Sequence, residues 1–270
     1  SVFQHGEAIL IPDPGTKSPI IPSLVAINKR GQVYIGEDAR SFVDISGHGV
    51  REVKRKMGTA ERIHLLDKEY RPEDISAIIL QKLKTNAETY LGTSVKEVVL
   101  SVPANFPDAA RLATLNAAEI AGLNVLRLIN EPTAAAMALG VQNVDLEAQI
   151  VVFDFGGGTL DISVLEMMEG LLDVRCSFGD HQLGGKDFDD VMTSLILSKV
   201  SEECGALRDL DKARVILKST AEKFKIALST NESFSMIVGP FTTSDGRSTD
   251  ADIEIFRDEL ERSSAPLLDR

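Results

Sequence analysis

The clearest pattern in the first half of the chain is a run of apolar residues at helical spacing between Pro72 and Gly92. Proline in the first turn and glycine after the last turn are typical helix boundaries. The apolar positions are Ile75, Ile78, Ile79, Leu83, Ala87 and Leu91. The spacing therefore predicts a helix here, and prolines predict the starts of two further helices over 107–122 and 132–140.

Short apolar runs bounded by turn residues predict the strands of this half. Between the helices, the run at 95–102 is expected to form a buried strand and the run at 125–129 a further strand. Two hairpins are predicted upstream, one at the start of the chain and one over 24–35, whereas 40–70 is polar with little periodicity. Strands that alternate with helices predict a parallel sheet covered by helices, and therefore an α/β fold.

The second half begins again with strands and continues with helices. Strands are predicted at 150–154, 160–166 and 171–178, with a turn after Asp154 and another at 168–170. The later predicted elements are helices at 186–204 and 210–229, strands at 233–238 and 252–256, and a last helix from Arg257. Because both halves place turn-linked strands before helices, we expect a distant duplication whose first copy lacks a strand and glycine turn before Ser1.

Composition and charge exclude several classes of protein. A chain that is 43% hydrophobic and 26% charged is typical of globular proteins and not of disordered ones. No uninterrupted apolar run of about 18 residues is present, so no membrane span is predicted. The formal charge of -12 arises entirely after residue 140, which argues against a nucleic-acid surface there. Two cysteines and four scattered histidines indicate neither a disulfide framework nor a zinc site, and favour a reducing cytoplasmic compartment.

The sharpest local motif is the segment 153–161, with the sequence FDFGGGTLD. Consecutive glycines let a backbone approach a ligand and direct its N–H groups at phosphate oxygens. Thr159 adds a hydroxyl donor, and Asp154, at the end of a predicted buried strand, could hold a magnesium-bound water. A tight hairpin with a capping aspartate is the alternative interpretation.

Other phosphate-binding motifs do not fit this segment. The triplet that begins at Asp154 matches the magnesium triplet of protein kinases, but a kinase catalytic loop in the right order is absent. A P-loop would end in Gly-Lys-Ser or Gly-Lys-Thr. A dinucleotide-binding fold would continue as a helix, whereas 160–165 alternates like a strand.

Five segments together resemble the ATPase domain of DnaK-type chaperones, the heat shock protein 70 family. They are 53–55 (VKR), 101–106 (SVPANF), 128–136 (LINEPTAAA), 154–161 (DFGGGTLD) and 183–189 (LGGKDFD). Their order and spacing fit this family along the whole chain. The resemblance implies an actin-like ATPase fold, which is a duplicated ribonuclease H-like motif with two lobes around a nucleotide cleft.

The resemblance implies domain boundaries as well. Lobe I would span 1–140, with a small subdomain at about 15–70. Lobe II would span 141–270, with a core at about 148–186 and a small subdomain at about 187–270. The fold is expected to be incomplete, because the family's first phosphate loop would precede Ser1 and its later adenosine segment would follow Arg270.

The resemblance also implies roles around the phosphates of ATP. Lys54 would position the γ-phosphate and the attacking water, although by sequence alone it is one member of a basic cluster. Glu131 would orient Lys54 and hold the water shell of magnesium, together with Asp154 and the less certain Asp161. Thr159 would contact the γ-phosphate. Gly157 and Gly158 would supply backbone donors, and Gly156 would also belong to the nucleotide-binding residues.

Nucleoside contacts and an interlobe relay are implied at further positions. Glu222, Lys225 and Ser229, at spacings of three and four, would share one helix face toward ribose and adenine; an ordinary solvated face is the alternative. Ile226 stands where some relatives carry an arginine. Pro103 and Arg111 match the relay of the family, and Asn105 and Pro107 depart from its usual residues, which puts the strength of coupling in question.

The implied function is that of an ATP-hydrolysing chaperone whose nucleotide state controls the binding of unfolded polypeptides. The cofactors would be ATP or ADP with Mg²⁺, and the partners would be clients, a J-domain co-chaperone and a nucleotide exchange factor. A non-catalytic nucleotide-sensing adaptor and a small-molecule kinase are the alternatives. The 270 residues alone are expected to bind nucleotide weakly and to hydrolyse little.

Overall fold

The computed structural model describes residues 1–140, 147–168 and 171–270. They form a mixed α/β structure that divides into two compact units. Unit 1 comprises Ser1–Asp154 and Asp161–Gly179, and unit 2 comprises Phe155–Leu160 and Asp180–Arg270. The expected lobe boundary at 140–141 and part of the turn expected at 168–170 lie outside the described residues. Within those residues, no helix is both long and apolar enough to cross a bilayer.

Unit 1 begins with small antiparallel sheets, and both predicted hairpins are confirmed. The strands are β1 (Val2–Gln4), β2 (Glu7–Ile9), β3 (Leu24–Ile27), β4 (Val33–Ile35), β5 (Gly49–Arg51), β6 (Ile63–Leu65) and β7 (Lys68–Tyr70). Strand β1 pairs with β2 and β6 with β7, while β3 lies between β4 and β5. Two 3₁₀ helices, Gly36–Ala39 and Val53–Lys56, complete this region. The segment 40–70 is therefore more regular than its sequence pattern suggested.

The helices of unit 1 follow the prediction closely. They are α1 (Pro72–Leu91), α2 (Asp108–Ile120) and α3 (Glu131–Gly140), and they alternate with β8 (Glu97–Val102) and β9 (Asn124–Asn130). Strands β8 and β9 pair in parallel, as the alternating pattern predicted. Small side chains let the helices pack closely: Ala77 of α1 lies in one buried cluster with Ala110, Ala113 and Ala117 of α2.

Unit 1 also contains most of a three-stranded sheet. Its strands β10 (Ala148–Phe155), β11 (Leu160–Met168) and β12 (Leu171–Asp180) lie in chain order. The prediction that β10 is buried is wrong, because Val151 is 65% and Phe153 62% exposed. Strand β8 is likewise buried only in part, since the side chain of Val99 is exposed. A continuous apolar run predicts a strand that is buried on both faces. In the described residues, one face of β8 and one face of β10 are exposed instead.

Unit 2 packs three helices against a long hairpin. The elements are α4 (Gly185–Cys204), α5 (Leu210–Leu228), β13 (Ser233–Thr242), β14 (Ser248–Phe256) and α6 (Arg257–Leu268). Strands β13 and β14 are antiparallel and longer than predicted, because an irregularity between Val238 and Phe241 divides the apolar pattern without ending the pairing. Met192, Leu217, Phe224 and Ile255 are among the fully buried side chains of its core.

Candidate functional site

Unit 1 brings Lys54 and Glu131 into direct contact. The ammonium group of Lys54 donates to Oε1 of Glu131 at 2.8 Å and to Oε2 at 3.0 Å. Lys54 lies on the second 3₁₀ helix, and Glu131 is the first residue of α3, directly after β9. A carboxylate is favoured at the N-terminus of a helix, because the helix dipole is positive there. The contact therefore fixes a charged ammonium group where β9 ends.

The other basic residues of the 3₁₀ helix pair locally. Arg55 lies 3.7 Å from Glu52, and Lys56 lies 2.6 Å from Glu61. Each of these partners is within five residues of its base in the chain. Lys54 pairs instead with Glu131, 77 residues away in the chain.

Arg111 of α2 is held at the same end of the parallel pair. Its guanidinium donates to Oδ1 of Asn130 and to the carbonyl oxygen of Ala104, both at 2.9 Å. It also donates to the carbonyl oxygens of Phe106 at 3.1 Å and Pro103 at 3.4 Å. One side chain therefore joins the loop after β8 to the last residue of β9, and it brings Pro103 and Arg111 together.

Unit 2 contains the glycine turn, defined here as residues 156–158. The backbone N–H of Gly156 donates to the carbonyl oxygen of Thr159 at 3.0 Å and closes the turn. The N–H groups of Gly185 and Lys186 donate to the carbonyl oxygens of Gly156 and Gly157, each at 3.0 Å. The first amides of a helix lack partners within it. Here they hold the turn against the start of α4.

Gly184 and Gly157 are glycines for different reasons. A Cβ atom on Gly184 would lie 2.6 Å from backbone atoms of Gly157 and Gly158, so packing excludes any side chain there. A Cβ atom on Gly157 would meet no protein atom within 4 Å, and its φ lies outside the left-handed region. Neither packing nor backbone strain within the chain therefore demands glycine at 157, which leaves the turn open to a ligand.

Two aspartates flank the glycine turn in very different surroundings. Asp154, next to last in β10, is exposed, whereas Asp161 of β11 is 2% exposed. Both carboxylate oxygens of Asp161 are buried without a hydrogen-bond partner among the described residues. Among the residues that the structure describes, no three His, Cys, Asp or Glu side chains come together as a metal site. Oxygen donors of this kind suit Mg²⁺ that keeps most of its waters, rather than a cage of protein ligands.

Helix α5 carries the expected nucleoside face. The ammonium group of Lys225 lies 2.6 Å from Oδ1 of Asp189 and donates to the carbonyl oxygen of Gly185 at 3.0 Å. Burial raises the pKa of Asp189, with Lys225 opposing the shift and Glu222 adding to it. The hydroxyl of Ser229 donates to the backbone carbonyl of Lys225 at 3.1 Å. Glu222 and Lys225 therefore lie near the start of α4.

Sequence reasoning assigned no role to two residues that organise this region. Gly184 supports the glycine turn, and Asp189 contacts Lys225. Both lie in the segment 183–189, which contributed to the resemblance, so the motif itself was the available signal.

Comparison with known proteins agrees with the resemblance. The family model described as Hsp70 protein matches residues 60–270. The chaperone protein DnaK of Thermotoga petrophila is 45% identical over 215 residues, which are 79% of this chain and 36% of that protein. The chaperone protein DnaK of Mycoplasma mobile is 41% identical over 250 residues, 92% of this chain and 41% of that protein. The chain thus spans about two fifths of the length of these relatives, and it belongs to the Hsp70 family.

Proposed function

We propose that this chain binds and hydrolyses ATP as part of an Hsp70-type chaperone, whose nucleotide state controls the binding and release of unfolded polypeptides. The contact between Lys54 and Glu131 carries the proposal. Membership of the Hsp70 family supports it, and the similar proteins are named as DnaK chaperones.

Lys54 is the residue that binds the γ-phosphate and orients the attacking water. Phosphoryl transfer needs little covalent help from a protein, which contributes positioning and neutralisation of charge. Glu131 contacts the ammonium group through both carboxylate oxygens, which restricts the direction of that group. A lysine held in this way is already placed for its role before the nucleotide arrives.

The glycine turn binds phosphate oxygens through backbone N–H groups. Gly157 and Gly158 supply these donors, Gly156 shapes the turn through its own N–H bond to Thr159, and the Thr159 hydroxyl contacts the γ-phosphate. The open space at Gly157 supports this role, because nothing in the chain itself requires glycine there. The Gly185 and Lys186 amides keep the turn in one shape.

Asp154, Glu131 and Asp161 are the residues that would hold Mg²⁺, mainly through its water shell. When bound, the ion neutralises charge on the phosphates. The two buried, unpartnered oxygens of Asp161 support this assignment, since a buried carboxylate is costly without a partner.

Glu222, Lys225 and Ser229 form the nucleoside-binding face of α5. They lie one helical turn apart, and Ile226 beside them is 62% exposed. An exposed apolar side chain at this position can cover the adenine base. This face and the glycine turn both lie in unit 2.

We propose the actin-like duplicated fold for the chain, with lobe I at 1–140 and lobe II at 141–270 around the nucleotide. Pro103 and Arg111 relay the nucleotide state between the lobes, and the contacts of Arg111 at the end of β9 support that role. The partners are unfolded polypeptides, a J-domain co-chaperone and a nucleotide exchange factor. The compartment is the cytoplasm.

Single-turnover hydrolysis of Mg-ATP by the full-length protein tests the proposed function. We expect phosphate release above the buffer rate, accelerated by a J-domain protein. ATP that binds without being hydrolysed would instead support a non-catalytic nucleotide-sensing adaptor. Failure to bind ATP at all would refute the nucleotide site.

A further inference from the structure

The ion pair between Asp189 and Lys225 joins two helices of unit 2. Asp189 is the fifth residue of α4, and Lys225 lies near the end of α5. Their side chains are 24% and 26% exposed, and the ammonium group lies 2.6 Å from Oδ1 of Asp189. The same ammonium group donates to the carbonyl oxygen of Gly185 at 3.0 Å. Two acceptors on α4 therefore fix the position of Lys225.

The start of α4 also holds the glycine turn. The Gly185 and Lys186 amides donate to carbonyl oxygens of the turn, while the Gly185 carbonyl accepts from Lys225. A single peptide segment thus connects a phosphate-binding turn on one side with a nucleoside-binding side chain on the other. The geometry of this segment sets the distance between the glycine turn and the Lys225 side chain.

The charges around Asp189 make the pair sensitive to the loss of either partner. Oδ1 of Asp189 is fully buried, and Glu222 and Asp190 both add negative charge nearby. Burial of an ion pair adds little net stability, but it fixes a geometry and penalises the loss of one partner. The Lys225 ammonium is the group that compensates this carboxylate.

We propose that Asp189 is a positioning residue, which holds the Lys225 ammonium against Gly185 and so fixes the nucleoside-binding face relative to the glycine turn. This inference rests on the proposed function, since it concerns the binding of adenine nucleotides at that site. Without the carboxylate, the Lys225 ammonium loses one of its two described acceptors and samples more rotamers. Nucleotide binding then has to fix the side chain at an entropic cost.

A double-mutant cycle on the full-length protein tests this inference, with Mg-ADP affinity measured by calorimetry. Asp189→Asn keeps the shape of the side chain and removes its charge, and we expect about tenfold weaker binding, since hydrogen bonds to charged groups contribute more than neutral ones. In a Lys225→Ala background, the same substitution is expected to change the affinity less than about twofold. Asp190→Asn, which removes a neighbouring exposed charge, is the control and is expected to bind as the wild type does.

The two backgrounds separate positioning from a merely structural role. If Asp189→Asn weakens binding equally with and without Lys225, Asp189 acts by supporting α4 and the inference is wrong. If Asp189→Asn binds Mg-ADP as tightly as the wild type, the inference is also wrong, although the nucleotide site stands. Only a wild-type protein that binds no Mg-ADP would overturn both the inference and the proposed function.

Discussion

The ammonium group of Lys54 lies 2.8 Å from Oε1 of Glu131, although 77 residues separate the two in the chain. Glu131 begins α3 directly after β9, so the parallel pair of strands sets the position of its carboxylate. Lys54 is 45% exposed at its side chain, which leaves donor capacity for a ligand. This is the arrangement that the proposed role of Lys54 requires.

Lys54→Ala should abolish turnover while leaving the fold intact. The lysine is partly exposed and supports no buried cluster, so we expect little change in the free energy of unfolding. Removal of a group that stabilises the reacting phosphate should slow single-turnover ATP hydrolysis by about 100-fold or more.

Lys56→Ala is the control for this experiment, because Lys56 is a neighbouring base that pairs only with nearby Glu61 among its described ion pairs. It should hydrolyse ATP at the wild-type rate. Unchanged hydrolysis in Lys54→Ala would refute the assigned role of Lys54.

The sequence pattern predicted the long elements well and the short ones poorly. Helix α1 was recognisable because apolar residues recur at helical spacing over a long segment, with Pro72 at its start and Gly92 after its end. Strands such as β6 have three residues, too few for a period-two pattern to emerge, although Ile63 and Leu65 are buried. Hydropathy overestimated the burial of Phe153, because its cover depends on tertiary contacts and not on local sequence.

The candidate site was predictable only in part. The motif at 153–161 indicated phosphate binding by its own chemistry. The contact of Lys54 with Glu131 follows from no local pattern, since it depends on how distant elements fold together, and only the family resemblance suggested it. The contact of Asp189 with Lys225 was missed because both residues occupy ordinary polar positions on helices.

Alanine substitutions at Gly157 and Gly184 should affect different properties, nucleotide affinity at Gly157 and stability at Gly184. Gly157→Ala places a methyl group in open space, so stability should change by less than about 0.5 kcal/mol. Nucleotide affinity should nevertheless fall at least about tenfold, because in the proposed site phosphate approaches the backbone through that space. Thermal unfolding and ATP titration measure the two effects.

Gly184→Ala should instead destabilise the protein by about 1–3 kcal/mol, because its methyl group would overlap the backbone of Gly157. A Gly157→Ala variant that binds ATP normally would contradict the assignment of the turn. A Gly184→Ala variant of wild-type stability would contradict the packing against it.

Asp13 should stabilise the protein in a pH-dependent way. Its carboxylate pairs with Lys82 at 3.0 Å and accepts hydrogen bonds from Asn86 and from the backbone N–H groups of Gly15 and Thr16. Lys82 first, and then these donors, hold the pKa of Asp13 well below its usual 3.8. A carboxyl whose pKa is lowered on folding stabilises the protein above its unfolded pKa, and this contribution is lost as the pH falls below it.

Asp13→Asn should therefore lower the free energy of unfolding by about 1–3 kcal/mol at pH 7. The difference from the wild type should stay constant down to about pH 5 and shrink at pH 3. Urea unfolding at these pH values measures it, with the exposed Asp67 changed to Asn as the control. A difference that grows as the pH falls would contradict the argument.

Arg111→Lys should weaken communication between nucleotide and client. A lysine cannot reach the four oxygen acceptors that the guanidinium contacts, so the loop at 103–106 loses its connection to Asn130. The factor by which ATP lowers client-peptide affinity should fall about fivefold or more in the full-length protein.

Arg127→Lys makes the same change at an exposed position of β9 and serves as the control. It should leave the coupling factor unchanged. Equal coupling in Arg111→Lys and the wild type would exclude Arg111 from the relay.

The most direct test of the nucleotide site is a crystal structure of the full-length protein with Mg²⁺ and a non-hydrolysable ATP analogue. The account predicts the γ-phosphate within hydrogen-bond distance of the Lys54 ammonium group and of the glycine-turn amides, with Asp154 and Glu131 facing the water shell of the ion. A nucleotide bound elsewhere, with Lys54 and Glu131 in contact only with each other, would contradict it.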